Sequence, residues 1–299
     1  MRLRAAIIFN TAAGIAIGDE QLRSIQDALQ NRSINAVIRV IRSGEDITAE
    51  AYDAAASDAD IIVAAGGDGT ISAVSRAVID SEKILAVIPL GTFNHFSRDV
   101  GVPDDIAGAI SLLENGVVKS VDVGEVSGRY FINNSSIGLY PRIVRKREQQ
   151  QRLGRGKWWA AAWAVWRIFV RSPFLKIKLD LNGNVLSRKT PFVFVGNNDY
   201  EMNLYNIGRR LILDNGFLSV YLLRRSGRVG LLLLVLHTVF GRLRQLKDFE
   251  GFKTTKLTIA TRKKRILVAL DGEVTVMETP LRYQIHPKKL RVLVPQSEV

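Results

Sequence analysis

Strand-like and helix-like segments alternate through residues 1–120, and the third strand-like run ends in Gly66-Gly67-Asp68-Gly69-Thr70. Apolar runs at 5–9, 36–41, 60–65 and 84–88 are followed by helically spaced segments at 20–30, 46–57, 71–80 and 104–115. Parallel neighbours need a long crossover, and a helix supplies it. This alternation therefore predicts a mainly parallel sheet covered by helices.

The pattern changes after residue 121. Segments 120–126, 129–134, 174–182, 190–196, 217–224, 255–260, 265–270 and 281–285 read as strands separated by turn residues. Asn182-Gly183, between KIKLDL and VLSRKT, is a hairpin signal. The expected organisation is an α/β nucleotide-binding domain at 1–122 and a mainly antiparallel domain at 123–299, whose last strand, 288–299, packs back on the first. Two apolar, helix-length segments interrupt the strands, at 158–170 and 230–240, both bracketed by arginines.

Charge separates the two halves more sharply than it marks the whole. Residues 1–150 carry 15 Lys and Arg against 19 Asp and Glu, whereas residues 151–299 carry 27 against 10. A basic half suits an anionic partner, either nucleic acid or an acidic membrane surface. With no cysteine among 299 residues, disulfides and thiolate chemistry are excluded. The N-terminal MRLRAAIIF could pass for a signal peptide, but its apolar run breaks at Asn10-Thr11 and reads as a buried first strand. No segment reaches the roughly 20 apolar residues that span a bilayer.

Glycines after a strand let a backbone approach a phosphate closely, and the following helix N-terminus adds N–H donors and positive dipole. In the 66–70 loop, Thr70 offers a hydroxyl and Asp68 a carboxylate for metal or phosphate; a tight turn with no ligand is the bland alternative. A second segment, Pro89-Leu90-Gly91-Thr92-Phe93-Asn94, also follows a strand. In a parallel sheet both loops leave the carboxyl ends of strands, where ligands bind.

With Asn10-Thr11-Ala12-Ala13-Gly14, the segment PLGTFNHFSR at 89–98, and Asp271-Gly272-Glu273, the chain resembles the diacylglycerol kinase catalytic superfamily. It is most similar to the bacterial soluble lipid kinases, relatives of sphingosine and ceramide kinases. The 66–70 motif is shared with NAD kinases and phosphofructokinases; the 89–94 segment is more specific. The resemblance implies a nucleotide domain, a C-terminal β-sandwich and an active site between them. It implies ATP and Mg²⁺, with nucleotide contacts from Asn10, Gly14, Gly66, Gly67, Asp68, Gly69, Thr70, Ser72, Gly91, Thr92 and Asn94. It implies a general base in the Asp271–Glu273 pair; the place of Asp271 at the start of the motif favours it as the base, and Glu273 stays the alternative. The implied reaction moves the γ-phosphate of ATP to a lipid hydroxyl, diacylglycerol-like or sphingoid- or ceramide-like, at the inner membrane face by a cytoplasmic, peripherally bound enzyme.

The chain departs from the family pattern at several places. Thr11 stands where the family has Pro, and Ser43 is the sole hydroxyl where a Thr is usual. His95 and Asn215 replace two carboxylates of a structural magnesium network, leaving Asp214 as the neighbouring acid. Asp68 would serve the separate, nucleotide-bound ion. His95 reads as a surface polar residue or as a phosphate or headgroup contact.

A lipid substrate calls for a docking surface. Arg145, Lys146, Arg147 and Arg152 precede a helix-length segment in which Trp159, Trp163 and Trp166 share one face. Arginine favours anionic headgroups and tryptophan the membrane interface; burial against the second sheet is the alternative. A nucleic-acid partner is disfavoured, because the basic residues are not interleaved with stacking aromatics. An NAD kinase-like enzyme and a non-catalytic nucleotide or lipid sensor are the other readings.

Overall fold

The computed structural model describes residues 4–11, 18–32, 34–42, 46–142, 144, 174–200, 210, 212–223 and 249–296. Gly14, Ser43, the basic run at Arg145–Arg152, Trp159, Trp163, Trp166 and both apolar segments lie outside them. Two compact units result. The first comprises residues 1–123, 209–215 and 286–299; the second comprises 124–208 and 216–285.

In the first unit β1 (Ala5–Asn10), β2 (Ala36–Ile41), β3 (Ile61–Gly66) and β4 (Ile84–Pro89) pair in parallel in the order β2-β1-β3-β4. Strands β1, β3 and β4 are buried at nearly every position, as their unbroken apolar sequences require when both faces are covered. Edge strand β2 leaves Val37 and Val40 exposed. The crossovers are α1 (Asp19–Asn31), α2 (Asp46–Ala55), α3 (Asp68–Val78), the short α4 (His95–Asp99) and α5 (Ile106–Asn115). Ile25 and Leu29 of α1, with Ile110 and Leu113 of α5, pack on Ile7, Phe9, Val63 and Ile88. Helix α5 starts at Ile106 because Asp105 caps it, its Oδ1 accepting from the Gly108 N–H at 2.7 Å. Helix α3 begins at Asp68, inside the glycine motif, so the 71–80 expectation started one turn late.

The second unit holds two antiparallel arrays. The strands are β6 (Arg129–Phe131), β7 (Asn134–Gly138), β8 (Leu175–Leu181), β9 (Asn184–Thr190), β10 (Phe192–Asn197), β11 (Leu218–Leu223), β12 (Phe249–Thr254), β13 (Lys256–Thr261), β14 (Arg265–Leu270) and β15 (Glu273–Glu278). Two more strands, β5 (Val117–Val126) and β16 (Leu281–Val294), carry the chain between units. One sheet runs β12-β11-β10-β7-β14-β15; in the other, the start of β16 is followed by β13, β8 and β9. Alternate residues Leu175, Ile177 and Leu179 from one, and Val193, Val195, Val220 and Val268 from the other, share a single core. This makes a β-sandwich. The predicted turn forms: Asn182 and Gly183 both have positive φ, 52° and 95°, as a two-residue hairpin requires.

The single strand expected at 129–134 is broken. Residues 132 and 133 leave the ladder because the 132–134 N–H groups donate to a side chain, Asp271. Strands β12 and β15 were not anticipated. Pairing with β11 and β14 forms them. Among the described residues, no helix is long and apolar enough to cross a membrane.

Candidate active site

The two glycine loops lie side by side in the first unit. The Leu90 N–H donates to the Gly66 carbonyl at 2.9 Å, continuing the β3–β4 ladder into the loops. A Cβ built on Gly91 would stand 2.6 Å from the Gly67 Cα and 2.7 Å from the Asn94 Oδ1, so the two backbones touch only because residue 91 is glycine. Asn94 caps α4 in the left-handed conformation, φ 50°. Its Oδ1 accepts from the Gly91 N–H at 3.0 Å and its Nδ2 donates to the Gly91 carbonyl at 2.9 Å.

The glycines of the first loop differ in what they do. A side chain at Gly66 would strike Thr70, whose Oγ1 lies 2.5 Å from the ideal Cβ. Thr70 is buried there and accepts from the Asn10 Nδ2 at 2.9 Å, so Asn10 and Thr70 bind the end of β1 to α3. By contrast, a Cβ at Gly67 would meet only the Gly91 Cα at 3.5 Å, and one at Gly69 would meet nothing within 4 Å. Neither has positive φ. Packing does not demand glycine at either place; Gly67 is the N-cap of α3, where glycine is well tolerated, whereas Gly69 lies in the first turn, where glycine costs about 1 kcal/mol relative to alanine. A cradle that a Cβ would fill, at a helix N-terminus, fits a nucleotide phosphate chain.

Asp68 sits in the first turn of α3. Its Oδ1 accepts from the His95 N–H at 2.8 Å, while no hydrogen bond to its Oδ2 occurs among the described residues. That oxygen is available to a nucleotide-bound cation. Ser72 is buried and accepts from the Arg76 Nη2 at 2.9 Å. Thr92 is exposed, as is His95, whose ring stacks on Phe93 with centroids 5.7 Å apart.

The donor set for a structural magnesium does not fit. Asp214 and Asn215 are exposed, the His95 ring lies on Phe93, and the described residues contain no cluster of three His, Asp or Glu side chains. A guanidinium joins the same segments instead. The buried Arg210 donates through Nε to the Asp99 Oδ2 at 2.8 Å, and through its backbone N–H to Oδ1 at 3.1 Å. Nearby, the Leu213 carbonyl accepts from the Asp122 N–H at 2.8 Å.

In the second unit Asp271 and Gly272 form the β14–β15 turn, with φ of 48° and 91°. The Asp271 carboxylate accepts from the N–H groups of Ile132 (3.0 Å), Asn133 (2.8 Å) and Asn134 (3.0 Å). Glu273 opens β15 and is exposed. Around the same loop, the Asn197 Nδ2 donates to the Ile132 carbonyl at 2.9 Å and the Tyr200 hydroxyl to the Asn133 carbonyl at 2.8 Å. The sequence reading missed this shell. Its signal was a pair of Asn-Asn doublets, at 133–134 and 197–198, each beside a strand end.

Residues 4–126 match the diacylglycerol kinase catalytic domain, and residues 141–294 match the YegS C-terminal NAD kinase beta sandwich-like domain. The chain belongs to the family of the YegS C-terminal NAD kinase beta sandwich-like domain and carries a diacylglycerol kinase catalytic domain ahead of it. That catalytic domain is one of kinases, which use ATP. A diacylglycerol kinase of Staphylococcus aureus (strain JH9) is 26% identical over 231 residues, 76% of this chain and 72% of the relative. A crystal structure of a diacylglycerol kinase from Bacillus anthracis str. Sterne covers 100% of this chain and 98% of its own, with TM-score 0.70 and 22% identity. Another from that organism gives TM-score 0.76 at 23% identity, covering 100% and 99%. At these identities the structures share the fold.

Proposed function

We propose that this family member transfers the γ-phosphoryl group of ATP to the hydroxyl of a membrane lipid, diacylglycerol in the first instance, at the cytoplasmic membrane surface. The observation that carries the donor half is the room left at Gly67 and Gly69. Those glycines sit where phosphates would meet α3, and side-chain packing gives no reason for either. The names of the relatives support the acceptor.

The roles follow from the geometry. The N–H groups at the start of α3 receive the phosphate chain, with Gly91 held against Gly67 to shape the loop. Magnesium bound with the nucleotide would neutralise phosphate charge, and Asp68 is the carboxylate that would hold it. Asp271, engaged by three backbone N–H groups, holds the 132–134 loop in place. Glu273 is the better base: it accepts the lipid hydroxyl proton as the O–P bond forms and the bond to the β-phosphate oxygen breaks.

The test is incubation of purified protein with γ-labelled ATP, Mg²⁺ and vesicles containing diacylglycerol, sphingosine or ceramide. Label is expected in phosphatidic acid. Label in NADP from added NAD, with none in lipid, would overturn the proposal.

A further inference from the structure

The outer face of the second unit's β8–β9–β13 sheet carries a shallow groove of about 560 Å³. Strand β8 alternates strictly, Leu175, Ile177 and Leu179 inward, Lys176 and Lys178 outward. In the antiparallel register Lys176 stands opposite Lys189 of β9, and Lys178 is flanked by Ser187 of β9 and Ala260 of β13. Arg262 closes the groove beyond β13.

We propose that this face docks the protein on an anionic lipid surface. Directly opposed like charges destabilise a strand pair, and Lys176 faces Lys189 across the β8–β9 ladder, a repulsion that the Lys189 contact with the Phe174 ring does not remove from Lys176. A sheet of negative headgroups would relieve that repulsion. The acid sharing this face, Asp180, is turned to its own hairpin, its Oδ1 accepting from the Gly183 N–H at 2.7 Å. Arg188 also lines the groove, but its guanidinium is bound to Glu250 through two nitrogens at 2.6 and 2.8 Å.

The chemistry favours lipid over nucleic acid. Single-stranded nucleic acid asks for aromatic faces among the cations. Here the groove lining contains none, and Phe174 lies beside the Lys189 ammonium, 5.6 Å from ring centroid to Nζ. Lysines are compact charges on apolar stems, suited to headgroups, and Val185 on the same face of β9 is 51% exposed. The proposal rests on the lipid kinase reading for its purpose and on this face for its evidence.

The experiment uses the full chain and vesicles of phosphatidylglycerol with phosphatidylcholine, against phosphatidylcholine alone, at low and high salt. Wild type is expected to sediment with the anionic vesicles and to release with salt. Lys176→Glu with Lys178→Glu and Lys189→Glu should lower partitioning by about tenfold or more, since each cation near such a surface contributes strongly. Reversing two charges in the first unit instead, at exposed Arg23 and Lys119, should have little effect. Phosphorylation of a water-soluble short-chain diacylglycerol separates the two ideas. If the triple variant binds vesicles like wild type, or wild type prefers single-stranded RNA to vesicles, the docking face is wrong. Vesicle binding lost in the triple variant, in a protein that phosphorylates no lipid, would uphold the face and remove the kinase reading alone.

Discussion

Asn94 grips Gly91 with both ends of its side-chain amide, accepting at 3.0 Å and donating at 2.9 Å, while its own backbone is left-handed. Asn94→Ala removes two buried hydrogen bonds and puts a Cβ residue without local compensation at positive φ. The expected loss is about 2–4 kcal/mol. Asn94→Gly keeps the backbone freedom and loses only the amide, so it should fall between. Urea unfolding of the three proteins checks the order; equal midpoints would mean that the amide does not shape this loop.

Gly91 and Gly67 touch, yet they should respond differently. Gly91→Ala must push two backbones apart, so both stability and ATP affinity should fall. Gly67→Ala fits the free protein with a 3.5 Å contact and should leave the unfolding midpoint near wild type. Its ATP affinity should still drop by about tenfold, because the added methyl occupies the phosphate's place. Calorimetric titration with ATP decides; unchanged affinity in a folded Gly67→Ala protein removes the loop from the site.

The acidic pair should separate holding from chemistry. Asp271→Asn has one acceptor oxygen for three N–H donors, and should destabilise by about 2 kcal/mol or more. Glu273→Gln changes an exposed side chain, so stability should move by no more than about 0.5 kcal/mol. Its single-turnover rate should fall by about 10²–10⁴-fold with ATP affinity intact. The reverse pattern, an inactive but stable Asp271→Asn beside an active Glu273→Gln, would return the base to Asp271.

Arg210→Met leaves the Asp99 carboxylate buried without its cation, at an expected cost of about 3–5 kcal/mol. Adding Asp99→Leu removes the orphaned charge and should recover most of it. Because the cation here is a side chain, the wild-type unfolding midpoint should be the same in EDTA as in millimolar Mg²⁺. A midpoint that rises with Mg²⁺ in the absence of nucleotide would show a structural metal after all.

Tyr283 lies in the sandwich core with its hydroxyl 3.1 Å from the Ser135 Oγ. Burial raises its pKa far above the ordinary phenol value of 10.0, with the Ser135 hydrogen bond opposing. The folded protein therefore holds this proton where the unfolded chain releases it. The contribution is complete below pH 10 and declines as pH rises beyond it. Urea midpoints between pH 9 and 11 should fall more steeply for wild type than for Tyr283→Phe. Parallel curves would contradict the assignment.

The two glycine motifs, the parallel α/β order and the antiparallel second half were legible in the sequence because each rests on local chemistry. Uninterrupted apolar strands, glycines at strand ends and an Asn-Gly turn carry their meaning within a few residues. The partners of those residues were not legible. That Thr70 is buried against Asn10, that Gly91 lies against Gly67, and that Arg210 meets Asp99 all depend on segments far apart in the chain. The same holds for Asp271, whose carboxylate meets its three N–H donors only when the 132–134 loop is brought to it. Sequence pattern fixes which face of an element is apolar; only tertiary packing decides which distant backbone N–H or side chain satisfies each buried polar group.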